Sequence, residues 1–238
     1  MTRPNIVLIV MDTARAQDIT LTGDGPTTMP TLRKYASHGT TFTNATANAP
    51  WTLPSHWVLF SGQHSSVHGA HAGHKYFEYE PTLATLLRNA GYTTAAVSNN
   101  TWISGEFGFD RGFDEFVTTW QLFQDGVDFG DIAQTETGLT NQVRGILRKF
   151  RGNPVKNVAN LVYGNFFRKR DDDGAKRTNK IVSDRLHEWS SAEEPFYLFL
   201  NYLEPHLEYD PPEKHVEAYL PADVSVSEAR EVNQDAWA

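Results

Sequence analysis

The stretch from Ala49 to Gly62 combines a hydroxyl, a proline and an apolar run in an order that can support chemistry. Thr52 precedes Pro54, which suits a first helical turn, and Ser55 and His56 follow directly. The N-terminus of such a helix presents free N–H groups and the positive end of the helix dipole, and both favour an anionic group. A hydroxyl before a helix is equally the usual capping residue, so the stretch alone leaves two interpretations open: an anion site and an ordinary helix cap.

Polar side chains follow three apolar runs that we predict to be buried strands of a largely parallel sheet. In open α/β sheets ligands gather at the carboxyl ends of the strands, so we expect these side chains to lie close together. The acid after the first run is equally compatible with a cap of the next helix or turn. The runs and the residues after them are Asn5–Met11 with Asp12, Tyr92–Ser98 with Asn99 and Asn100, and Pro195–Tyr202 with Glu204, Pro205 and His206.

The rest of the pattern predicts an α/β three-layer domain in which helices flank a mostly parallel sheet. Thr40 to Asn44 alternates between apolar and polar residues and predicts a further strand. Pro81 to Asn89 predicts an amphipathic helix with Leu83, Leu86 and Leu87 on one side. The other predicted elements are a helix over 30–38, a helix from the Thr52 stretch to about Gly62, a loop anchored by aromatic residues over Gly105–Phe116, and a helix over Thr178–Ser190.

Four histidines follow the predicted helix that begins near Thr52. His64, His68, His71 and His74 are loosely spaced and separated by glycines. The pattern is compatible with a metal cluster, but imidazole ligands need partners that orient them, and the sequence identifies none. We therefore interpret this segment as a surface loop, with a metal site as the alternative.

The segment from about 120 to 177 differs from the rest of the chain because its second half is basic. Its apolar residues fall at helical spacing, which predicts amphipathic helices. Such a segment suits contact with an anionic surface, including a membrane, but charge runs more often mark a solvated face. We therefore favour a helical insertion packed on the body of the domain. The cations are Arg144, Arg148, Lys149, Arg151, Lys156, Arg168, Lys169, Arg170, Lys176 and Arg177, against Asp171, Asp172 and Asp173.

The composition excludes several classes of function. With 238 residues, 39% of them hydrophobic, the chain can bury a sizeable core. A formal charge of −8 argues against a general nucleic-acid binder. The absence of cysteine excludes disulfides, thiolate metal sites and cysteine nucleophiles. The N-terminal apolar run is too short for a signal peptide or a membrane span, which predicts a cytoplasmic protein.

Five segments in a fixed order make the chain resemble the N-terminal part of the sulfatase family, in the alkaline phosphatase superfamily. Each segment is weak evidence alone, but together they extend over nearly the whole chain. The resemblance implies an alkaline-phosphatase-like fold and a metal-assisted displacement at a sulfate or phosphate ester. The segments are Pro4–Asp12, Thr52–Gly62, Gly91–Ala95, Gly108–Phe113 and Tyr202–Pro212.

The resemblance also implies roles for individual residues. Asp12 corresponds to a metal ligand, and Thr52 occupies the position of the nucleophile, which also binds the metal. His206 matches a histidine that contacts the ester oxygens or the leaving group as a donor or general acid. His56 replaces the arginine that supports the nucleophile. Asn99 and Asn100 follow the strand whose end carries substrate-binding residues in the family.

Three departures from the family pattern restrict what this chain is expected to do. Sulfatases convert a cysteine or serine into formylglycine, and the methyl group of Thr52 prevents that conversion, so we expect no formylglycine. Thr13 stands where a second aspartate is usual, and no Asp-His pair occurs in the sequence. The expected cofactor is a divalent cation, Ca²⁺ or Mg²⁺ in the first place and Mn²⁺ or Zn²⁺ as the alternatives. This cation would have too few ligands, as expected for a truncated or split form.

We therefore expect a metal-dependent hydrolase of sulfate or phosphate esters, acting on a small-molecule or glycan ester with Thr52 as nucleophile. The threonine favours one alternative, a phosphodiesterase or phosphotransferase of the same superfamily. A second alternative is a catalytically inactive truncated form or a binding module that keeps the fold.

Overall fold

The computed structural model describes residues 3–19, 27–164, 174–206, 213–217, 219–221 and 223–229. Within these ranges the chain forms a four-stranded sheet in the order β1-β4-β2-β3, with every neighbouring pair parallel. The motif residues after His206 and residues 165–173 of the basic segment lie outside the described ranges. The strands are β1 (Ile6–Met11), β2 (Thr93–Ser98), β3 (Glu115–Thr118) and β4 (Phe196–Tyr202).

Helices connect and cover these strands. The α-helices are α1 (Pro30–Ala36), α2 (Thr52–Ser61), α3 (Ser65–His68), α4 (Leu83–Asn89), α5 (Ile132–Thr135), α6 (Leu139–Lys149), α7 (Pro154–Val162), α8 (Ala175–Trp189) and α9 (Glu213–Val216), and short 3₁₀ helices span Ala16–Asp18 and Gly105–Phe107. Helix α2 ends where expected, since Gly62 takes the left-handed conformation at its C-terminus.

The alternation of side chains along the strands builds a core on each face of the sheet. Ala96 and Phe199 face the side of α2 and belong to a large aromatic cluster. Ala95 and Leu198 face the opposite side, where they pack against residues of α8. The predicted α/β three-layer architecture with a mostly parallel sheet is confirmed.

Aromatic residues dominate the core on the α2 side. Phe60 is 3% exposed, and its ring lies 4.9 Å from that of Phe199 and 5.3 Å from that of Phe109. Phe109 stacks on Phe77 at 5.2 Å. The predicted aromatic anchoring of the loop after β2 is therefore confirmed, and it fixes α2 firmly against the sheet.

Strand β1 is covered less completely than its neighbours. It hydrogen-bonds to β4 on one side, and among the described residues no strand pairs with its other side. Ile6, Leu8 and Val10 pack against the aromatic core, but Val7 and Ile9, on the α8 side, are 48% and 56% exposed. Helix α8 covers β2 and β4 and leaves this face of β1 open.

One sequence prediction of secondary structure was wrong, one helix was predicted correctly but without its buried residue, and one strand was missed. Residues 40–44 form turns and irregular chain, because alternation alone makes no strand without a partner, and Phe42 is 80% exposed. In α4 the buried residue is Ala84, whereas Leu83 and Leu86 are 37% and 54% exposed. Strand β3 was missed, because its short run directly follows a glycine-rich loop.

The segment after β3 contains α5, α6 and α7, as expected for a helical insertion. Two of its cations bond to acidic groups of the same segment or of the loop before β3. Lys149 bonds to Glu106 and Asp131, and Lys156 bonds to Asp125. These pairs offset charge that an anionic surface would otherwise attract, and contact with a membrane, the less favoured alternative, is untested. No helix in the described ranges has the length and apolar character needed to cross a membrane.

Candidate active site

The candidate site lies where β1 ends. The hydrogen-bond ladder with β4 extends one residue beyond the strand, because Asp12 N–H donates to the Tyr202 carbonyl at 2.9 Å. Asp12 is 6% exposed. Thr13 follows with a φ of 59°, a left-handed conformation that is strained for a β-branched residue. This sharp turn ends the strand and leaves the Asp12 carboxylate facing the neighbouring polar residues.

Thr52 contacts Asp12 from the first turn of α2. Its hydroxyl donates to both carboxylate oxygens of Asp12, at 3.3 Å to Oδ1 and 3.2 Å to Oδ2. The helix cap is Trp51, which provides no side-chain acceptor. Thr52 is therefore the first helical residue, and the interpretation of Thr52 as an ordinary cap was wrong.

The N-terminus of α2 leaves backbone donors near this hydroxyl. The first N–H groups of an α-helix have no acceptor within the helix. At α2 these groups belong to Thr52 and Leu53, because Pro54, the third helical residue, carries no N–H. Their N–H dipoles and the positive end of α2 favour an anionic group beside the Thr52 hydroxyl.

Asn100 provides a second hydrogen-bond donor to the Asp12 carboxylate. Its Nδ2 donates to Asp12 Oδ2 at 2.6 Å, while its Oδ1 accepts from Trp102 N–H at 2.9 Å. The second bond fixes the orientation of the amide, so the group that reaches Asp12 is the donor. Asn100, predicted to bind substrate, therefore contacts the carboxylate that also accepts the Thr52 hydrogen bond.

His56 lies in α2, four residues after the nucleophile position, and contacts the backbone of Thr52. Its Nδ1 donates to the Thr52 carbonyl at 2.7 Å, and its Nε2 accepts from Asn201 Nδ2 at 3.2 Å, which together define the neutral tautomer. Burial, which outweighs the opposing effects of the Thr52 carbonyl and Asp12, lowers the pKa of His56. The ring packs edge-on against Phe109 and Phe199. This geometry positions the first turn of α2, whereas a catalytic role in support of the nucleophile stays a prediction.

Asn99 and Asn100 face opposite sides of the sheet, as expected for consecutive residues. Asn99 Oδ1 accepts from the Thr178 hydroxyl of α8 at 2.7 Å, and its Nδ2 is buried without a hydrogen-bond partner in the described residues. Asn99 is therefore not brought together with Asp12 and Thr52, and its predicted substrate contact is untested.

His206 belongs to a turn that is fixed against the end of β1. Its backbone N–H donates to the Leu203 carbonyl at 2.7 Å, and the Thr13 hydroxyl donates to the Pro205 carbonyl at 3.2 Å. On the other side, Ala175 N–H at the start of α8 donates to Glu204 Oε1 at 3.1 Å. The turn that carries His206 is thus held beside the Asp12–Thr13 segment.

Sequence reasoning missed Asn201, and it named Thr13 only as the replacement of an aspartate, without its left-handed conformation. Asn201 is completely buried and orients the ring of His56. Its signal was an amide within the otherwise apolar β4, since a buried polar group needs a partner. Thr13 gave no comparable signal, because nothing in the local sequence reports a left-handed threonine.

The donor set does not complete a divalent metal site. Asp12 supplies one carboxylate and Thr52 one hydroxyl, and Asn100 presents a hydrogen-bond donor. Across the described ranges, no group of three or more histidine and carboxylate side chains is arranged to hold a metal ion. Ca²⁺ takes six to eight oxygen ligands and Mg²⁺ needs near-octahedral coordination, so the residues present do not fit either ion by themselves.

A carboxylate at position 13 is expected to strengthen metal binding. Thr13→Asp should bind Ca²⁺ or Mn²⁺ at least about tenfold more tightly than the unchanged chain, because it adds an anionic oxygen ligand next to Asp12. Thr13→Asn is the matched control, since both new residues tolerate the left-handed conformation and both variants lose the hydroxyl that donates to Pro205. Isothermal titration calorimetry measures the affinities. An equal gain in Thr13→Asn would show that relief of backbone strain, and not charge, improves binding.

The four histidines after α2 form a turn-rich segment that packs on Trp57. His64, His68 and His71 each accept, through Nδ1, the backbone N–H two residues further on, at 3.3, 3.0 and 3.0 Å. In the neutral ring this leaves the proton on Nε2. The rings of His68 and His74 lie 5.4 and 5.2 Å from that of Trp57. The segment is therefore held by hydrogen bonds to Nδ1 atoms and by the packing of two imidazole rings on Trp57.

Mild acid is expected to open this histidine segment. Burial, with a smaller contribution from His64 and His74, lowers the pKa of His68 below its usual 6.5. As the pH falls through 6.5, the opened chain binds a proton more readily than the folded one, so stability is lost toward lower pH. The protection factors of amides 64–74, which correct the exchange rates for the slower intrinsic exchange in acid, should therefore fall from pH 7 to pH 5.

The variant His68→Asn tests this origin of the pH dependence. Its side-chain oxygen can accept the Ala70 N–H in place of Nδ1, but it does not titrate. We expect exchange at Ala70 and its neighbours to be less sensitive to pH in this variant. A pH dependence identical to that of the unchanged chain would assign the opening to another group.

Solved structures with the same architecture show which fold this chain has. A phosphonate monoester hydrolase of Agrobacterium radiobacter superposes with a TM-score of 0.60 at 16% identity, covering 94% of this chain and 45% of its own. A protein of the alkaline phosphatase superfamily from Vibrio parahaemolyticus gives a TM-score of 0.53 at 17% identity, covering 98% and 47%. The fold is thus alkaline-phosphatase-like.

The sulfatase family model matches residues 4–230, and the chain therefore belongs to the sulfatase family. An arylsulfatase of Clostridium perfringens is 24% identical over 237 residues, which cover 93% of this chain and 47% of that relative. The chain thus spans about half the length of this relative. The family resemblance drawn from the five sequence segments is confirmed.

Proposed function

We propose that this chain carries the nucleophile-bearing part of a hydrolase of sulfate or phosphate esters. The observation that carries the proposal is the bond from the Thr52 hydroxyl to the Asp12 carboxylate at the N-terminus of α2. The names of the similar proteins, an arylsulfatase and a phosphonate monoester hydrolase, support the same chemical class of substrate, an ester of a sulfur or phosphorus oxyacid.

In this proposal the oxygen of Thr52 attacks the sulfur or phosphorus atom of the ester. The hydroxyl proton passes to Asp12, which already accepts it as a hydrogen bond, and the bond to the leaving alcohol breaks. His206 supplies a proton to the departing oxygen. The N–H groups of Thr52 and Leu53 stabilise the charge on the ester oxygens, and water then hydrolyses the ester formed on Thr52.

The supporting residues have defined tasks in this scheme. Asn100 keeps Asp12 oriented toward Thr52, and His56 holds the first turn of α2 through its hydrogen bond to the Thr52 carbonyl. Asn99, which bonds to Thr178 on the α8 side of the sheet, takes no part in this scheme. Enzymes of the sulfatase family generally use a divalent metal. No step of this scheme uses a metal ion, because the described residues do not complete a site for one.

A panel of three substrates tests the proposal. Purified chain is incubated with an aryl sulfate, an aryl phosphate monoester and an aryl phosphodiester, with and without Ca²⁺, Mg²⁺, Mn²⁺ or Zn²⁺. We expect hydrolysis of the sulfate or the monoester, and loss of that activity in Asp12→Asn, which keeps the shape but removes the charge. No hydrolysis of any ester would contradict the catalytic proposal and favour the alternative of a binding module.

The threonine itself favours a second candidate function. An unmodified hydroxyl nucleophile suits a phosphodiesterase or phosphotransferase, because it forms a covalent phosphoryl ester that a second acceptor can attack. Preference for the diester in the same panel, or transfer of the phosphoryl group to an added alcohol, would favour this candidate over a sulfatase.

A further inference from the structure

Two helices of the insertion, α6 and α7, direct apolar side chains toward solvent. In α6, Leu139 and Leu147 are 77% and 69% exposed, and in α7, Val155 is 74% exposed. Spacings of three and four residues place each set along one side of its helix. We call the two sets together the α6–α7 surface. Its members are Leu139, Val143 and Leu147 of α6 and Val155, Val158 and Val162 of α7.

Helix α7 buries asparagines and leaves its valines outside. Asn160 Oδ1 accepts from the N–H groups of Leu122 and Phe123 at 3.0 and 2.8 Å, and its Nδ2 donates to the Phe123 carbonyl at 2.9 Å. Asn157 Oδ1 accepts from Val127 N–H at 3.0 Å. These bonds satisfy backbone groups of the loop after β3, so they determine which side of α7 faces the body of the domain. The valines are exposed because the asparagine side is held.

Helix α6 is oriented in the same inverted way. Gly145 is buried, and a Cβ there would lie 3.3 Å from the Ile132 side chain, so this side of α6 packs closely on α5. Lys149, one turn further on, bonds to Glu106 and Asp131. Rotation of α6 to bury its apolar row would break both ion pairs. The helix therefore holds a cation inward and its leucines outward.

The α6–α7 surface is bordered by positive charge. Residues 137–164 contain five arginines and lysines and no aspartate or glutamate, in a chain whose formal charge is −8. Two of the five cations pair with carboxylates, but Arg144 and Arg148 take part in none of the ion pairs within the described residues. They directly follow Val143 and Leu147, so two exposed guanidinium groups flank the apolar row of α6.

An anionic lipid surface suits these features better than a peptide does. Helices that lie on a membrane place an apolar side in the headgroup region and keep Lys and Arg beside it, where these cations meet anionic lipids. A docked helix or peptide needs a groove. Two cavities of this segment, of about 530 and 240 Å³, are lined by inward residues such as Asn157 and Ile146, and no member of the α6–α7 surface lines either of them.

We propose that the α6–α7 surface binds an anionic lipid bilayer, with its apolar side chains in the headgroup region and Arg144 and Arg148 on the lipid headgroups. The two helices have 11 and 9 residues, so they lie on the bilayer and do not cross it. The proposal does not rest on ester hydrolysis, because none of these residues belongs to the candidate active site. The two proposals can therefore fail separately.

Sedimentation of the full chain with vesicles tests the proposal. One kind of vesicle is phosphatidylcholine with about 30% phosphatidylserine, and the other is phosphatidylcholine alone. We expect binding to the first kind only, and weaker binding in added salt. Leu139→Gln with Leu147→Gln removes apolar area, and Arg144→Gln with Arg148→Gln removes charge. Each pair should weaken binding at least about tenfold, because both contributions are needed.

The matched control makes the same changes elsewhere. Leu86→Gln with Arg88→Gln replaces an exposed leucine and an exposed arginine of α4, and this variant should bind as the unchanged chain does. A fluorescent label then locates the contact. The chain has no cysteine, so a nitrobenzoxadiazole dye on Leu147→Cys is the only label. Its emission should shift to shorter wavelength on vesicles, whereas the same dye on Leu86→Cys should not shift.

Several outcomes separate the possibilities, with circular dichroism used to confirm that each variant is folded. Absence of binding to both kinds of vesicle, or unchanged binding in the leucine and arginine pairs, would overturn the proposal. Loss of binding in the arginine pair alone would also overturn it, by indicating a soluble anionic polymer. Self-association without vesicles that the leucine pair abolishes would assign the surface to a second copy of the chain. Binding that depends on both pairs would support the proposal.

Discussion

Replacing Thr52 by alanine is expected to reduce ester hydrolysis by at least about 10³-fold. The change removes the attacking oxygen and the donor to Asp12, but leaves the carboxylate bonded to Asn100. The loss should therefore fall on kcat, with the fold intact. Initial rates with the best substrate of the panel, together with circular dichroism, measure both effects.

Thr52→Ser is the matched control for this prediction. Serine keeps the hydroxyl at the first position of α2 and loses only the methyl group, so we expect activity within about tenfold of the unchanged chain. Mass spectrometry verifies that the serine is unmodified. Equal activity in Thr52→Ala would contradict Thr52 as the nucleophile, and loss of activity in both variants would assign the effect to the methyl group.

Replacing Gly112 by alanine is expected to lower the free energy of unfolding by more than about 3 kcal/mol. Gly112 has a φ of +85°, and a Cβ there would lie 2.3 Å from the backbone nitrogen of Thr85 and 2.8 Å from the carbonyl carbon of Ala84. Backbone atoms of α4 cannot rotate away from this contact. The loop before β3 or the start of α4 must therefore shift.

Gly62→Ala separates this steric clash from ordinary backbone strain. Gly62 also has a positive φ, +67°, but a Cβ there meets no atom within 4 Å. We expect a cost of only about 1 kcal/mol, that of a left-handed alanine. Urea unfolding of both variants gives the two free energies. Similar losses would show that conformational strain, and not close packing against α4, accounts for Gly112.

The sequence predicted the residues at the strand ends more reliably than the partners of those residues. A continuous apolar run followed by Asp12 predicts a buried strand with an acid at its carboxyl end, and the turn before α2 predicts a nearby hydroxyl. Both follow from local patterns. The 3.2 Å hydrogen bond between the Thr52 hydroxyl and the Asp12 carboxylate depends on how α2 packs over the sheet, and the aromatic core determines that packing.

The role of His56 shows why the remainder could not be predicted. Its position four residues after Thr52 indicates which residues share a helix face, but its partner Asn201 is 145 residues away. Only the packed sheet brings the two together and buries the ring. Likewise, the direction of Asn99 toward Thr178 follows from the pleat of β2 and the placement of α8, and no motif reports either.

One edge of β1 pairs with no strand among the described residues, and this edge affects both self-association of the chain and the surroundings of Asp12. An edge of apolar residues without proline or charge within the strand is a template for adding another strand, so its self-association should rise with protein concentration. Asp12 directly continues that strand, and neighbouring strands lie about 4.8 Å apart. A strand that pairs with β1 in the same direction therefore ends beside Asp12, so the group that occupies this edge also becomes a neighbour of the proposed nucleophile.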